Sequence, residues 1–543
     1  MKKSISFQTL ISLMLAFISA ISFAFSFFNS KNPVYAESRM ITVFSWDDYI
    51  DESLLDAFTE ETGIEVDYVT FAGNEGMYNE IIKDKDACNL LCPSEYMIQK
   101  LMDEDLIKPF DIPENYRQNV SPHIDKVFTD LGFYTEDGKT YACGYMWGTM
   151  GFVYNMDEIT AEELNSWSCI NSSALRKKVT IKDSVRDTYI MAVGAVYEQE
   201  LEALDKTDPD YNAKLTEIFN RRDESTLQKV ELFLQEARQN IYGFEVDSGK
   251  SDIITGKIIA NFAWSGDAVY AIDEAESAGV KLGYAVPDEG SNVWFDGFVM
   301  TKNTTGQQEK DCVEFLNFIS SSESAAANNE YIGYTSVIAG DAVFEYALDS
   351  YTAESLVISK EEYLELDEEE KKYYGLYNGE YYSEIDEGVY GILRYDDGVY
   401  LETFGLDDGT MVDVGREEVY AVDLKYFFDP DDTEGNYIIY SSEMGRMLYA
   451  QYADSETILR CAMMDNFNQS DLERINVMWN KVKLITLSNT TILFIVLASM
   501  LIIAVGVIIK FRNKIFRLDE RAVSAKNKKT KNKYKVIKKE RIY

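Results

Sequence analysis

The sequence predicts an α/β protein of two lobes, each built on a mainly parallel sheet. Three observations carry this expectation. From Met40 onward, short strand-like runs take turns with amphipathic helical runs. A second stretch of the same texture covers roughly Gly148 to Val286. At 543 residues the chain also exceeds what one compact core holds.

The elements follow in order. Ile41 to Ser45 reads as a strand. Asp51 is placed to cap a helix whose apolar face is Leu54, Leu55 and Phe58, and Gly63 to stop it. Ile64 to Phe71 alternates as a second strand, and Glu75 to Lys83 reads as a helix. Asn89 to Cys92 is a short buried strand, followed by a helix over Glu95 to Met102. In the second stretch, Ile253 to Phe262 leads into Trp264-Ser265-Gly266-Asp267. Glu309 to Ser320 is another amphipathic helix, with Val313, Leu316 and Ile319 on one face. From about Asp341 the texture changes to Tyr, Asp, Glu and Gly. Asn378-Gly379, Asp397-Gly398 and Asp408-Gly409 mark hairpin turns, so 341–440 reads as an inserted, largely β-hairpin subdomain.

The two ends are hydrophobic in different ways. Lys2 and Lys3 precede an apolar run from Leu10 to Phe28, and Val34-Tyr35-Ala36 is a small-residue cleavage pattern. Residues 1–36 therefore read as a secretory signal peptide, with an uncleaved anchor as the alternative. They contain no Cys to carry a lipid. Thr490 to Ile509 has no charged residue. At ~1.5 Å per residue it would cross the ~30 Å core of a bilayer, so a transmembrane helix is expected over 490–509. The basic tail, 510–543, is then cytoplasmic by the positive-inside rule. The membrane accounts for its charge better than a nucleic acid does.

The whole chain has a net charge of −41. The tail holds fourteen Lys and Arg against three acids, and residues 1–36 add three Lys, so the part between stands near −55. A surface of that sign repels nucleic acid and steers cations inward; plain solubility is the competing account. The six cysteines are not spaced as a disulfide scaffold, and Cys88 and Cys92 read as buried thiols rather than metal ligands. His123 is the only histidine, in a Ser-Pro-His context that reads as a surface loop. There is no P-loop and no dinucleotide fingerprint, and carboxylate pairs are too common here to point to glycosidase chemistry. No catalytic role and no cofactor is expected.

The informative feature is aromatic residues beside acids at strand ends. Ser45-Trp46-Asp47-Asp48-Tyr49 closes the first strand and Pro93-Ser94-Glu95-Tyr96 the third. Trp264 and Trp294-Phe295-Asp296 are each read as following a strand, and Ile332-Gly333-Tyr334-Thr335 as following a helix. Ligands of open α/β sheets sit beyond the carboxyl ends of the strands.

With Thr62-Gly63-Ile64, Asn74-Glu75-Gly76-Met77-Tyr78, Asp183-Ser184-Val185-Arg186-Asp187 and Pro287-Asp288-Glu289-Gly290, these motifs resemble the spermidine/putrescine-binding proteins of ABC transporters, within the extracellular solute-binding proteins. Their order and spacing hold from about residue 40 to 340, with an echo at Leu448-Tyr449 and Asp454-Ser455-Glu456-Thr457-Ile458. The resemblance implies a two-lobed, periplasmic-binding-protein-like fold of type II, to which this chain adds the inserted β-rich segment and the C-terminal transmembrane helix read above from its residues. One lobe would be 37–147, returning at about 295–340. The other would be 148–294, returning at about 441–484. The ligand positions it implies are Trp46, Asp47, Asp48, Tyr49, Ser94, Tyr96, Ser184, Asp187, Trp264, Trp294, Asp296 and Tyr334. Three departures stand out: Asp47 replaces the family's usual Thr, Ser184 replaces an acid, and Met464 aligns with a late Gln. The implied function is capture of a polyamine between the lobes and its delivery to ABC permease subunits, with the binding domain outside a single-pass membrane anchor.

The chemistry suits that ligand. A polyamine is a row of ammoniums joined by methylenes; carboxylates pair the charges, and Trp and Tyr faces cover the chain at ~0.5–2 kcal/mol per cation–π contact. Two other readings stay open at this stage. One is a different ligand: a ferric ion, a thiamine-like cation or a cationic amino-acid derivative. The other is a sensor or adhesion ectodomain reusing the fold.

Overall fold

In the computed structural model the described residues are 39–352, 420–441 and 445–484, strand segments between 384 and 413, and a few isolated positions beyond 484. The expected signal peptide lies outside them, as do most of the 490–509 helix and of the basic tail. Among the described residues, no helix is long and apolar enough to cross a membrane.

The first lobe follows the expected alternation. Strand β1 (Arg39–Trp46) leads to helix α1 (Glu52–Thr62), β2 (Ile64–Phe71), α2 (Asn74–Lys83), β3 (Leu90–Leu91) and α3 (Glu95–Asp103). Asp51 caps α1 by accepting from the Ser53 N–H, and Gly63 ends it at φ 70°. β2, β1 and β3 are parallel neighbours. Their carboxyl ends therefore face one direction, and Trp46 and Ser94 sit there.

A long strand, β4 (Ala142–Asn155), crosses into the second lobe and is almost wholly buried. That lobe contains β5 (Val179–Lys182), α4 (Val185–Val196), β6 (Gly243–Glu245), β7 (Ala260–Trp264), α5 (Ser265–Ser277) and β8 (Leu282–Ala285). β7, β5 and β6 run parallel. The chain returns through β9 (Ser291–Thr301), antiparallel to β4 from Val293 to Val299 and to β3 beyond, and continues into α6 (Gln307–Ile319) and α7 (Ser322–Ile332). The sheet thus runs β2-β1-β3-β9-β4-β7-β5-β6. Two long antiparallel strands join two parallel halves, and each half directs its carboxyl strand ends to a common zone.

The segment expected as an insertion is anchored at both ends. Helix α8 (Asp341–Tyr351) buries Val343, Ala347 and Tyr351. Strands β10 (Tyr420–Asp423) and β11 (Ile438–Ser441) pair as a hairpin arm, and between them Phe427 is fully buried. Its ring stacks on Trp147 of β4 at 5.7 Å and 18°, and its carbonyl accepts from the Ser121 hydroxyl at 2.6 Å. The apolar Tyr351 and Phe427 need the main body's core to leave water, so these flanks belong to it. Of the expected turns, Asp397-Gly398 is bracketed by antiparallel strands Ile392–Asp396 and Val399–Gly405; Asn378-Gly379 lies outside the described residues.

Two local expectations are corrected. His123 is not in a surface loop: it lies in the first turn of the helix Pro122–Asp130, half-buried with its ring 6.3 Å from Trp147 and 5.9 Å from Tyr426. Pro122 opens that helix because its missing N–H is an orphan at a helix start anyway. Burial lowers the imidazole pKa from its ordinary value, and Lys126 adds to the shift. Trp294-Phe295-Asp296 does not follow a strand but lies inside β9, where the register with β4 shifts between Asp296 and Gly297. That bulge re-aims the strand at the point where the carboxylate is needed. All six cysteines are free thiols, and Cys88 and Cys92 are buried.

Candidate functional site

The carboxyl end of β1 places the Trp46 ring against Phe71, at 4.8 Å. The turn that follows needs Asp48 at φ 48°, a left-handed conformation that Asp tolerates better than most residues. Asp47 and Asp48 are exposed there, so neither joins the buried cluster. The turn brings Tyr49 inward. Its hydroxyl donates to Asp296 Oδ2 at 2.8 Å, and its ring meets Tyr334 edge-on at 5.0 Å. Tyr334 in turn lies 5.9 Å from Trp294. Gly266 makes this packing feasible: a Cβ there would fall 2.2 Å from the Tyr334 ring.

Asp296 is the centre of the cluster. It is 5% exposed, and its Oδ1 is buried with no hydrogen-bond partner. An isolated bridge joins it to Ser94. Burial pushes its carboxyl up to about 7 against the pull of the nearby Ser94 and Tyr49 hydroxyls, and Asp187 pushes it further. Burial also raises Asp187 to about 6, against the Ser184 hydroxyl and the charges of Lys182 and Arg186. Ser184 itself is the cap of α4. A buried orphan acceptor costs about 1–3 kcal/mol, so a carboxylate held this way calls for a donor such as a water or the N–H of a bound ligand.

The sequence reading missed several members. Glu95, 1% exposed, accepts from the Phe295 N–H at 3.0 Å and leaves Oε1 without a partner; burial pushes it up to about 8. Asn74 donates to Ser94 at 3.1 Å and to the Tyr96 hydroxyl at 3.0 Å. The Arg186 guanidinium carbon lies over the Tyr96 ring, 3.5 Å from its centroid, and both residues line a cavity of about 210 Å³. Lys182, Glu245 and Asp267 form a buried ion cluster, with Lys182 Nζ 4.3 Å from the Trp264 ring centroid. Lys182 and Glu245 were visible in one respect: each is a charge that closes a strand. The indole N–H groups of Trp46 and Trp294 are also buried without partners, and these donors call for an acceptor such as water rather than a cation.

The structure therefore gathers Tyr49, Ser94, Tyr96, Asp187, Trp264, Trp294, Asp296 and Tyr334 around one zone, while the Trp46 ring packs on Phe71 at the end of β1. Asp47 and Asp48 stand outside, and Ser184 acts on helix α4 and Asp187. Chemically, the zone offers carboxylates among aromatic faces, suited to a compact organic cation.

Comparison with known proteins bears on the family and the fold. The sequence profile of the family described as bacterial extracellular solute-binding protein matches residues 53–342. A spermidine/putrescine-binding periplasmic protein of Salmonella typhimurium is 26% identical over 303 residues, which span 55% of this chain and 78% of that one. The putrescine-binding periplasmic protein PotF of Escherichia coli is 26% identical over 315 residues, spanning 56% and 80%. A solved structure described as a spermidine/putrescine ABC transporter from Listeria monocytogenes superposes with a TM-score of 0.53 at 21% identity, over 82% of this chain and 99% of that one. At that identity the likeness is one of fold: the two-lobed periplasmic-binding-protein fold.

Proposed function

This chain belongs to the bacterial extracellular solute-binding proteins, and from that premise we propose that it captures a polyamine for an ABC importer. The ligand lies between the lobes and is handed to permease subunits; the role is binding rather than catalysis. The lobes are 37–147 with 295–340 and 148–294 with 441–484. The ligand is held by Asp296 and Asp187, covered by Trp46, Tyr49, Tyr96, Trp264, Trp294 and Tyr334, and hydrogen-bonded by Ser94. The observation that carries this reading is the orphan Oδ1 of Asp296, buried among aromatic rings. An ammonium supplies the missing donor and pairs the charge in one contact.

Calorimetry of the full chain in detergent, titrated with putrescine, spermidine and spermine, tests the reading. At least one is expected to bind with a one-to-one stoichiometry. Asp296→Asn keeps the shape and removes the charge, and should weaken that binding by ~1.5–3 kcal/mol, the scale of a charged hydrogen bond. Unchanged affinity in the variant would remove Asp296 from the site.

The anchor is part of the proposal. The uncharged run 490–509 spans the bilayer, the tail 510–543 stays in the cytoplasm, and the signal segment 1–36 is removed on export. Truncation after Lys483 should then release the protein into the medium. Retention of the truncated form in membranes would assign anchoring to the amino-terminal segment.

A further inference from the structure

This inference rests on the polyamine reading and narrows it. The parallel strands β6, β5 and β7 lie side by side and end at Glu245, Lys182 and Trp264. Lys182 is 1% exposed. Its Nζ sits 2.9 Å from Asp267 Oδ2 and 3.4 Å from Glu245 Oε1, donates to the Val246 carbonyl at 2.6 Å, and lies 4.3 Å from the Trp264 ring centroid. An ammonium against an indole, held by carboxylates and a carbonyl, is the arrangement expected for a ligand's ammonium. Here the chain fills it with its own side chain. We propose that Lys182 occupies one ammonium position of the cleft and makes the protein selective for a linear diamine over triamines and tetraamines.

The remaining charges fit that choice. Asp267 is committed: it is paired with Lys182, has Lys250 at 3.5 Å, and accepts from the Tyr334 hydroxyl at 3.0 Å. The attraction of Lys182 and Lys250 holds its carboxyl below the usual range despite burial. Glu245 pairs with Lys182 as well. Glu95, which accepts from the Phe295 N–H, is pushed up to about 8 by burial and so is largely neutral near pH 7. Asp296 and Asp187 are left, two carboxylates for two ammoniums. Asp187 feels the charges of both Lys182 and Arg186. Arg186 is 5% exposed and packed between the Tyr96 and Phe467 rings, 3.5 and 4.5 Å from their centroids. A chain that continues past Asp187 with a third ammonium meets a resident cation, in surroundings too dry to screen the repulsion.

The test is calorimetry of the full chain in detergent with putrescine, cadaverine, spermidine and spermine. The wild type should bind putrescine at least about tenfold more tightly than spermidine, and Lys182→Met should shift that ratio toward spermidine by about tenfold or more, a tenfold step being ~1.4 kcal/mol. Tighter binding of spermidine by the wild type overturns the inference, and so does an unchanged ratio in Lys182→Met. Should Lys182→Met fail to fold, the wild-type ranking and Lys182→Arg decide. Arg keeps the charge, so retained diamine preference supports the assignment and its loss overturns it. Absence of binding by all four amines defeats the polyamine reading itself, which separates the two failures.

Discussion

The affinity for putrescine should rise by a hundredfold to on the order of a thousandfold between pH 5 and pH 8, each unit of pKa mismatch being worth ~1.4 kcal/mol. The cause is the protonation state of the cleft. Asp296 is pushed up to about 7 and Asp187 to about 6, in both cases chiefly by burial. At pH 5 both carboxyls are largely protonated, and a cationic ligand must first displace those protons. At pH 8 both are ionised, while aliphatic ammoniums of pKa ~10 remain charged throughout. Binding therefore releases protons below pH 7, and calorimetry in buffers of different ionisation enthalpy reads that release directly.

Stability without ligand runs the other way. A carboxyl whose folded pKa lies above its unfolded value of 3.8 favours the fold fully below pH 4 and loses that contribution as pH rises through the folded value. The rise in Tm caused by a polyamine should accordingly be larger at pH 8 than at pH 5. Asp296→Asn should remove most of the pH dependence of affinity. A flat wild-type profile would show that neither carboxyl pairs with the ligand.

Phe427→Ala should destabilise the fold by about 3–5 kcal/mol, as large-to-small changes at fully buried aromatic sites do. Phe427 has no exposed surface. It stacks on Trp147, which stacks in turn on Phe295 at 6.3 Å, and Phe295 precedes Asp296. The end of the 341–440 segment thus buttresses the strand that carries the central carboxylate. Urea denaturation gives the value directly, and Phe427→Leu, which refills much of the volume, should cost less. A loss below about 1 kcal/mol in Phe427→Ala would show that the 420–441 arm does not share the main core.

Much of the first lobe was legible in the chain. Asp51, Gly63 and the alternation over Ile64–Phe71 each act within a few residues, so their local chemistry sets α1 and β2 where they were expected. The aromatic and acidic residues at strand ends pointed to the buried cluster around Asp296 for a similar reason: in parallel sheets the carboxyl end is a topological address, and a strand's last residues can be read along the chain. His123 and Trp294-Phe295-Asp296 were misread because their neighbours in space are distant in sequence. His123 meets Tyr426, and β9 continues through its bulge because β4 holds it on one side and β3 on the other.

Charge and periodicity, which act locally or as sums over the chain, were enough to indicate an acidic α/β protein; the expectation of an aromatic, carboxylate-bearing cleft rested on the residues at strand ends and on the family resemblance. Pairing across the fold was not contained in them. Nothing along the chain links Lys182 to Asp267, 85 residues away, or Tyr49 to Asp296, 247 residues away. Only the juxtaposition of β5 with β7, and of the turn after β1 with β9, decides that one carboxylate is already neutralised and another keeps an open acceptor. The physical reason is that burial sets the energy of a charge, and burial belongs to the packed lobes rather than to any segment.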